Sequence, residues 1–213
     1  MGLIDFFRAI FFVEDCRTNY SVSPESVLSH YKNEIKEVYF DEIIVGTYYE
    51  DVIKNIISDI KYYRKFHRIH EIIPLYALLI EYLRKEGHHI DIISWIPQNI
   101  TAYFFRPKNH TYIICRSLSK LSNIPFIPLL SKKYITKHQA KLSKFDRRKN
   151  INNAFFLKES KSELVVGKNI LLIDDVVSTG STFNACAKAL KEWGVKNVYC
   201  ISLASTSLTR KVL

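Results

Sequence analysis

The stretch Ile170-Leu171-Leu172-Ile173-Asp174-Asp175-Val176-Val177-Ser178-Thr179-Gly180-Ser181-Thr182 decides how this chain is read. Four consecutive apolar residues, Ile170 to Ile173, have the composition of a buried strand. Asp174 and Asp175 follow at its expected carboxyl end. A short loop of hydroxylated residues around Gly180 then runs into a helical pattern from Phe183 to Trp193. In open α/β sheets, ligands bind at the carboxyl ends of the strands. A glycine-hydroxyl loop at a helix start offers unpaired backbone N–H groups and a positive dipole end, both suited to a phosphate. Two carboxylates beside that phosphate would repel it, so they need a different partner. An ionised carboxylate only accepts hydrogen bonds, and a sugar diol can donate them. The expected ligand is a ribose phosphate. The competing reading is a strand-turn-helix whose acids and hydroxyls only cap the helix, but capping needs one such residue.

Outward from this stretch, strands and helices alternate. Glu42 to Tyr48 reads as a first strand. Glu50 to Phe66 carries Val52, Ile53, Ile56, Ile57 and Ile60 at helical spacing. Glu71 to Glu86 repeats that pattern, and Gly87 takes the position after its end. Ile90 to Trp95 reads as a short buried strand, and Pro97 opens a loop. A helix follows from about Asn109 to Leu121, ended by Asn123 and Pro125. The polar, basic segment from Ser131 to Asn150 has little periodicity and reads as an exposed loop, of the length that tends to be functional. Val198 to Leu203 supplies the last strand and completes a βαβ unit. The expected fold class is α/β, a mostly parallel sheet flanked by helices. It spans residues 41–213. Residues 1–40 are expected to form a helical extension, with a break at Ser21 to Pro24 before an amphipathic stretch from Glu25 to Tyr39.

The chain has 213 residues, 47% of them hydrophobic, enough for one good core. The apolar run from Leu3 to Val13 is broken by Asp5 and Arg8 and is too short to span a bilayer. It lacks the basic start and cleavage site of a signal peptide, so the expected location is the cytoplasm. Cys16, Cys115, Cys186 and Cys200 show no paired spacing, which predicts buried reduced thiols rather than a metal site or disulfides. The net charge of +10 is uneven. Residues 61–149 hold 18 Lys/Arg against 5 Asp/Glu, whereas residues 1–60 hold 5 against 11. A basic middle of this kind points to polyanions, either substrate phosphates or nucleic acid.

The opening stretch resembles the phosphoribosyl-pyrophosphate (PRPP) signature of type I phosphoribosyltransferases: hydrophobic strand, acidic pair, two apolar residues, Ser-Thr-Gly-Ser-Thr. By that resemblance Asp174 and Asp175 hold the ribose hydroxyls and serve as catalytic residues, while Ser178, Thr179, Gly180, Ser181 and Thr182 wrap the 5′-phosphate. Two more segments are similar to the ComF/GntX family, phosphoribosyltransferase-like proteins linked to natural competence. One is the loop Pro97 to His110, with Arg106 and Asn109. The other is Thr136-x-x-Gln139-x-x-Leu142, then Arg147-x-x-Asn150-Ile151 and Ala154-Phe155. Lys61, followed by Tyr62, also sits where that family has a lysine and an aromatic. The likeness covers roughly residues 45–205.

The resemblance implies a type I phosphoribosyltransferase fold, PRPP as ligand, and Mg²⁺ carried by PRPP rather than by a dedicated protein site. It implies a role in handling single-stranded DNA during uptake, with peripheral association to the uptake machinery and no transmembrane segment. Arg106 is either a pyrophosphate contact or a surface arginine. Lys133, Thr136, Gln139, Lys141, Arg147 and Asn150 form either a mobile hood with nucleic-acid contacts or a solvated basic face. His110 and His138 are titratable near neutrality but read more readily as surface residues. Tyr48, Tyr49, Tyr62 and Tyr63 could stack bases, although packing is the simpler reading.

Departures from the pattern matter as well. The family's Arg-Gly-Phe-Asn-Gln reads here Arg106-Pro107-Lys108-Asn109-His110, and Pro107 lacks the backbone freedom of glycine. An arginine often found upstream falls at Ala102. Many relatives carry an N-terminal four-cysteine zinc element, whereas residues 1–40 here hold only Cys16, so no such zinc site is expected. Two further readings stay open: an inactive phosphate- or nucleic-acid-binding module, and a nucleobase salvage enzyme. The acceptor of any phosphoribosyl transfer is not legible.

Overall fold

The computed structural model describes residues 25–26, 28–97, 109–132 and 154–207. Elements are numbered in chain order: β1 Glu25–Ser26, α1 Leu28–Glu34, β2 Glu42–Tyr48, α2 Asp51–Tyr62, α3 Ile69–Lys85, β3 Ile92–Trp95, α4 His110–Ser122, β4 Leu130–Lys132, β5 Phe155–Leu157, α5 Ser162–Val165, β6 Asn169–Val177, α6 Ser181–Lys191 and β7 Asn197–Ser205. Five strands form one sheet in the order β1-β2-β7-β6-β3, and β4 pairs with β5 in a second, antiparallel pair. All main-sheet pairings are parallel except the edge pair β1–β2. The expected α/β architecture, a mostly parallel sheet flanked by helices, is what the chain adopts.

Parallel strands must be covered on both faces, and the alternation of side chains shows how this is done. Ile44, Ile93, Leu171, Ile173, Tyr199, Ile201 and Leu203 enter one buried cluster with the apolar stripes of α2, α3 and α4. Ile43, Val45, Ile92, Ile170, Leu172, Val198 and Cys200 enter a second cluster with α6, the β4–β5 pair and Tyr31 of α1. Each fully buried Ile or Leu contributes roughly 1.5–3 kcal/mol relative to exposure. Val52, read as part of the apolar stripe of α2, is instead 47% exposed, while Ile53, Ile56, Ile57 and Ile60 are buried. Cys115, Cys186 and Cys200 are buried and unpaired, as expected, and burial pushes their thiols well above the usual range.

Several boundaries differ from expectation for local reasons. β6 does not stop before the acids: it continues through Asp174 and Asp175 to Val177, because Asp174, Val176 and Val177 pair in register with Ser202, Ala204 and Ser205 of β7. Asp174 and Asp175 therefore lie within the strand, near its carboxyl end. α6 begins at Ser181, so Ser181 and Thr182 belong to the helix's first turn. Ser131 and Lys132 are strand residues rather than loop. The stretch Glu25 to Tyr39 is helical only over Leu28–Glu34. Gly87 follows α3 with φ +84, the left-handed backbone its position required.

Candidate functional site

Asn109 ends the segment that precedes α4 and caps it, its side-chain oxygen accepting from the Tyr112 amide at 3.2 Å. Tyr112 meets Trp95 of β3 edge-on, with ring centroids 6.1 Å apart, and this fixes the first turn of α4 beside the sheet. His110, the first residue of α4, is consequently buried, with its Nε2 donating to Oδ2 of Asp175. From the last turn of α2, Lys61 reaches the other oxygen of the same carboxylate, Nζ to Oδ1 2.7 Å. Asp175 thus has a cation or N–H donor on each oxygen, and its side chain is 5% exposed.

Asp174 sits differently. Its side chain is partly exposed, and its Oδ1 accepts the peptide N–H of Asp175 at 3.0 Å. Its carbonyl accepts from the Tyr76 hydroxyl of α3 at 2.8 Å, which ties the strand end to the helix layer beneath. The two carboxyls are driven apart electrostatically. Burial first, and the charge of Asp175 second, push Asp174 up to about 7, with Lys61 and Lys132 pulling the other way. Burial also works against the charge on Asp175, but the His110 hydrogen bond and Lys61 outweigh it and hold that carboxyl at about 2. Burial likewise opposes the Lys61 charge, which Asp175 more than offsets, so Lys61 is raised. On the other face, burial lowers Lys132, whose Nζ lies 4.9 Å from the centre of the Phe155 ring.

The loop that follows β6 is shaped by Gly180. Its φ of +68 lies in the left-handed region, and a Cβ there would stand 3.0 Å from Cδ1 of Tyr31 and 3.3 Å from Cδ1 of Ile35. Ser178 and Thr179 are exposed, Ser181 and Thr182 partly so, and the hydroxyls of Thr179 and Ser181 lie 2.8 Å apart. The first turn of α6 is held from behind: Asn184 accepts from the Tyr39 amide at 2.7 Å and donates to the Glu37 carbonyl at 2.8 Å. Tyr31 closes the same region, its hydroxyl 3.2 Å from Oγ of both Ser205 and Ser207.

The seven residues singled out on β6 and its loop therefore lie together at one end of the sheet. The residues that sequence alone did not select are Lys61 and His110. Lys61 was noticed for its position only, and His110 read as a surface histidine, whereas it is 3% exposed and bound to Asp175. Tyr62 and Tyr63, read as packed, are 64% and 69% exposed. Arg106, Lys133, Thr136, Gln139, Lys141, Arg147 and Asn150 lie outside the described residues, as do Ala102, Pro107 and Cys16.

Parallel sheet, βαβ unit β6-α6-β7 and the acid-then-hydroxyl loop define the class: an α/β protein of the type I phosphoribosyltransferase fold. Residues 114–212 match the family model described as phosphoribosyl transferase domain. The chain is 29% identical over 176 residues to competence protein F of Haemophilus influenzae, covering 79% of this chain and 75% of that one. The resemblance read from the motifs is borne out: the chain is similar to competence protein F, and its second half matches the phosphoribosyl transferase domain. Among solved structures, adenine phosphoribosyltransferase from Leishmania tarentolae matches with 11% identity and a TM-score of 0.46, over 86% of this chain and 95% of that one. The glutamine PRPP amidotransferase from B. subtilis, complexed with ADP and GMP, matches with 18% identity and a TM-score of 0.39 over 55% of this chain. The chain spans only 23% of that enzyme's length. No helix among the described residues is long and apolar enough to cross a membrane.

Proposed function

We propose that the end of β6 and the start of α6 bind PRPP or a closely related phosphoribosyl ligand. The observation that supports this most is the juxtaposition of a partly exposed carboxylate, Asp174, with a Gly180-centred hydroxyl loop opening an α-helix. The loop amides and hydroxyls of Ser178 to Thr182 would take the 5′-phosphate, and the acidic end of β6 would take the ribose. Turnover would replace pyrophosphate at the anomeric carbon by an acceptor nucleophile, the new bond to the sugar forming as the bond to pyrophosphate breaks. The acidic pair would offset positive charge developing on the sugar, and Arg106 with the basic segment after β4 would meet the departing pyrophosphate.

Mg²⁺ fits this site as a metal carried by the ligand. It prefers phosphate oxygens and water, and Asp175, with both oxygens engaged by protein donors, is not available to build a cage around it. Bound in that way it would neutralise the pyrophosphate charge.

The relative's name, competence protein F, and the basic middle of the chain support a role in handling single-stranded DNA during uptake. In that role the protein would work in the cytoplasm, in peripheral contact with an uptake machine. A second reading is favoured by Pro107 and by the protein's own claim on Asp175: a phosphoribosyl cradle that binds without turnover, serving as a nucleic-acid module.

Thermal unfolding tests the ligand. A partner that binds only the folded state stabilises it by mass action, by about 2.7 kcal/mol at a hundredfold excess over Kd. PRPP with Mg²⁺ is expected to raise the melting temperature in a concentration-dependent way; an unmoved transition at millimolar PRPP rejects the reading. For DNA, affinity for a single-stranded oligonucleotide should fall with salt at a log–log slope of about −0.7 per phosphate contacted.

A further inference from the structure

We infer that the two adjacent carboxylates have divided roles: Asp174 alone meets the ribose diol, and Asp175 is a positioning residue locked into the protein by Lys61 and His110. This deepens the ribose-phosphate reading above and rests on it.

Strand geometry is the first reason. Side chains along β6 alternate from Ile170 to Ile173, with Ile170 and Leu172 entering one cluster and Leu171 and Ile173 the other. Asp175 continues the side of Leu171 and Ile173, towards α2, α3 and α4. There it meets Lys61 Nζ at 2.7 Å and His110 Nε2, one on each oxygen, with a side chain 5% exposed. A diol would have to displace a buried cation or a buried imidazole to reach it. Asp174 is instead partly exposed, and spends one oxygen on the Asp175 amide at 3.0 Å. No donor among the described residues bonds its second oxygen, and the phosphate loop begins four residues later.

The Asp175 amide that bonds Asp174 Oδ1 also explains why the locked residue matters to the ligand. Anchoring the Asp175 side chain from two helices fixes its peptide plane, and that N–H then sets the orientation of the Asp174 carboxylate. Lys61 and His110 come from elements far apart in the chain, so the anchor also couples α2 and α4 to the strand end.

The test compares ribose 5-phosphate with 2-deoxyribose 5-phosphate by calorimetry, because their affinity ratio reports the diol contact independently of fold stability. Wild type is expected to prefer the ribose form by about tenfold or more, the size of one lost charge-assisted hydrogen bond. In Asp174→Asn the ratio should collapse towards one. In Asp175→Asn/Lys61→Met, which removes the buried charges as a pair and so protects folding, the ratio should stay clearly above one, reduced only as far as the loosened anchor lets the Asp174 carboxylate turn. A ratio that collapses in the folded double variant and survives in Asp174→Asn overturns the division of roles. No binding of either sugar by wild type overturns the ribose-phosphate reading itself, and the division with it, before any variant is made.

Discussion

The ring of Tyr31, from α1, lies against Gly180 of the phosphate-type loop, so that a Cβ on the glycine would stand 3.0 Å from its Cδ1. Two restrictions meet at this position, a φ of +68 and an aromatic wall. Gly180→Ala should therefore cost about 1–2 kcal/mol of stability through backbone strain alone. Any movement of Tyr31 to relieve the contact would disturb its hydroxyl contacts with Ser205 and Ser207. Urea unfolding of the variant, followed by phosphate titration, checks both effects. A variant as stable as wild type that still binds phosphate equally would show that the loop tolerates a side chain.

Asn184 is the bolt between α6 and the connection that precedes β2. Asn184→Ala removes an acceptor from the Tyr39 amide and a donor from the Glu37 carbonyl, in a residue 7% exposed. The expected loss is about 1–3 kcal/mol, the range for buried partners left unsatisfied. Hydrogen exchange at Tyr39 should accelerate in the variant, and a Tyr39 amide as protected as before would refute the bolt.

The buried charges at Asp175 should behave as a unit. Lys61→Met alone leaves a carboxylate 5% exposed with His110 as its remaining partner, a change expected to cost about 2–4 kcal/mol. Asp175→Asn alone strands Lys61 in the same way. The double variant should cost clearly less than the two singles together, giving a coupling energy of about 1–3 kcal/mol. Additive losses would mean that the pair contributes nothing as a pair.

Asp174 gives the pH dependence. Its folded pKa of about 7 lies above the ordinary 3.8, so the folded state holds the proton more tightly than the unfolded chain. That contribution is fully present below pH 3.8 and is lost as pH rises through about 7. Asp175, depressed to about 2, works the opposite way, its contribution disappearing only as pH falls below 3.8. Between pH 4 and pH 8, wild type should thus lose about 1–3 kcal/mol relative to Asp174→Asn. Urea midpoints of the two proteins across that range measure the difference. Parallel profiles would place the Asp174 carboxyl in ordinary solvent.

Much of the fold could be read from periodicity because the strands are unbroken Ile, Leu and Val runs between helices with clear apolar stripes. β2 was legible to the residue from Glu42 to Tyr48, and α4 to within one residue at each end. β6 was read too short because two carboxylates look like the end of a buried strand. Here they stay in the ladder through the register that β7 imposes on Asp174, Val176 and Val177, information that lies elsewhere in the chain. The acid-loop-helix site was legible because its residues are contiguous. Lys61 and His110 were not, because each meets Asp175 across a long sequence separation, 114 residues for the lysine. For His110 one signal was present: it follows Asn109, a good N-cap, in a segment placed after a strand end. That position brings a helix start to the same edge of the sheet as the acidic pair.

The most direct measurement is calorimetric titration of PRPP with Mg²⁺ into the wild-type protein and into Asp174→Asn. Saturable one-site binding by wild type, weakened at least tenfold in the variant, is the result predicted for a ribose held by Asp174. Absence of binding by folded wild-type protein, or equal affinity in the two, would contradict it.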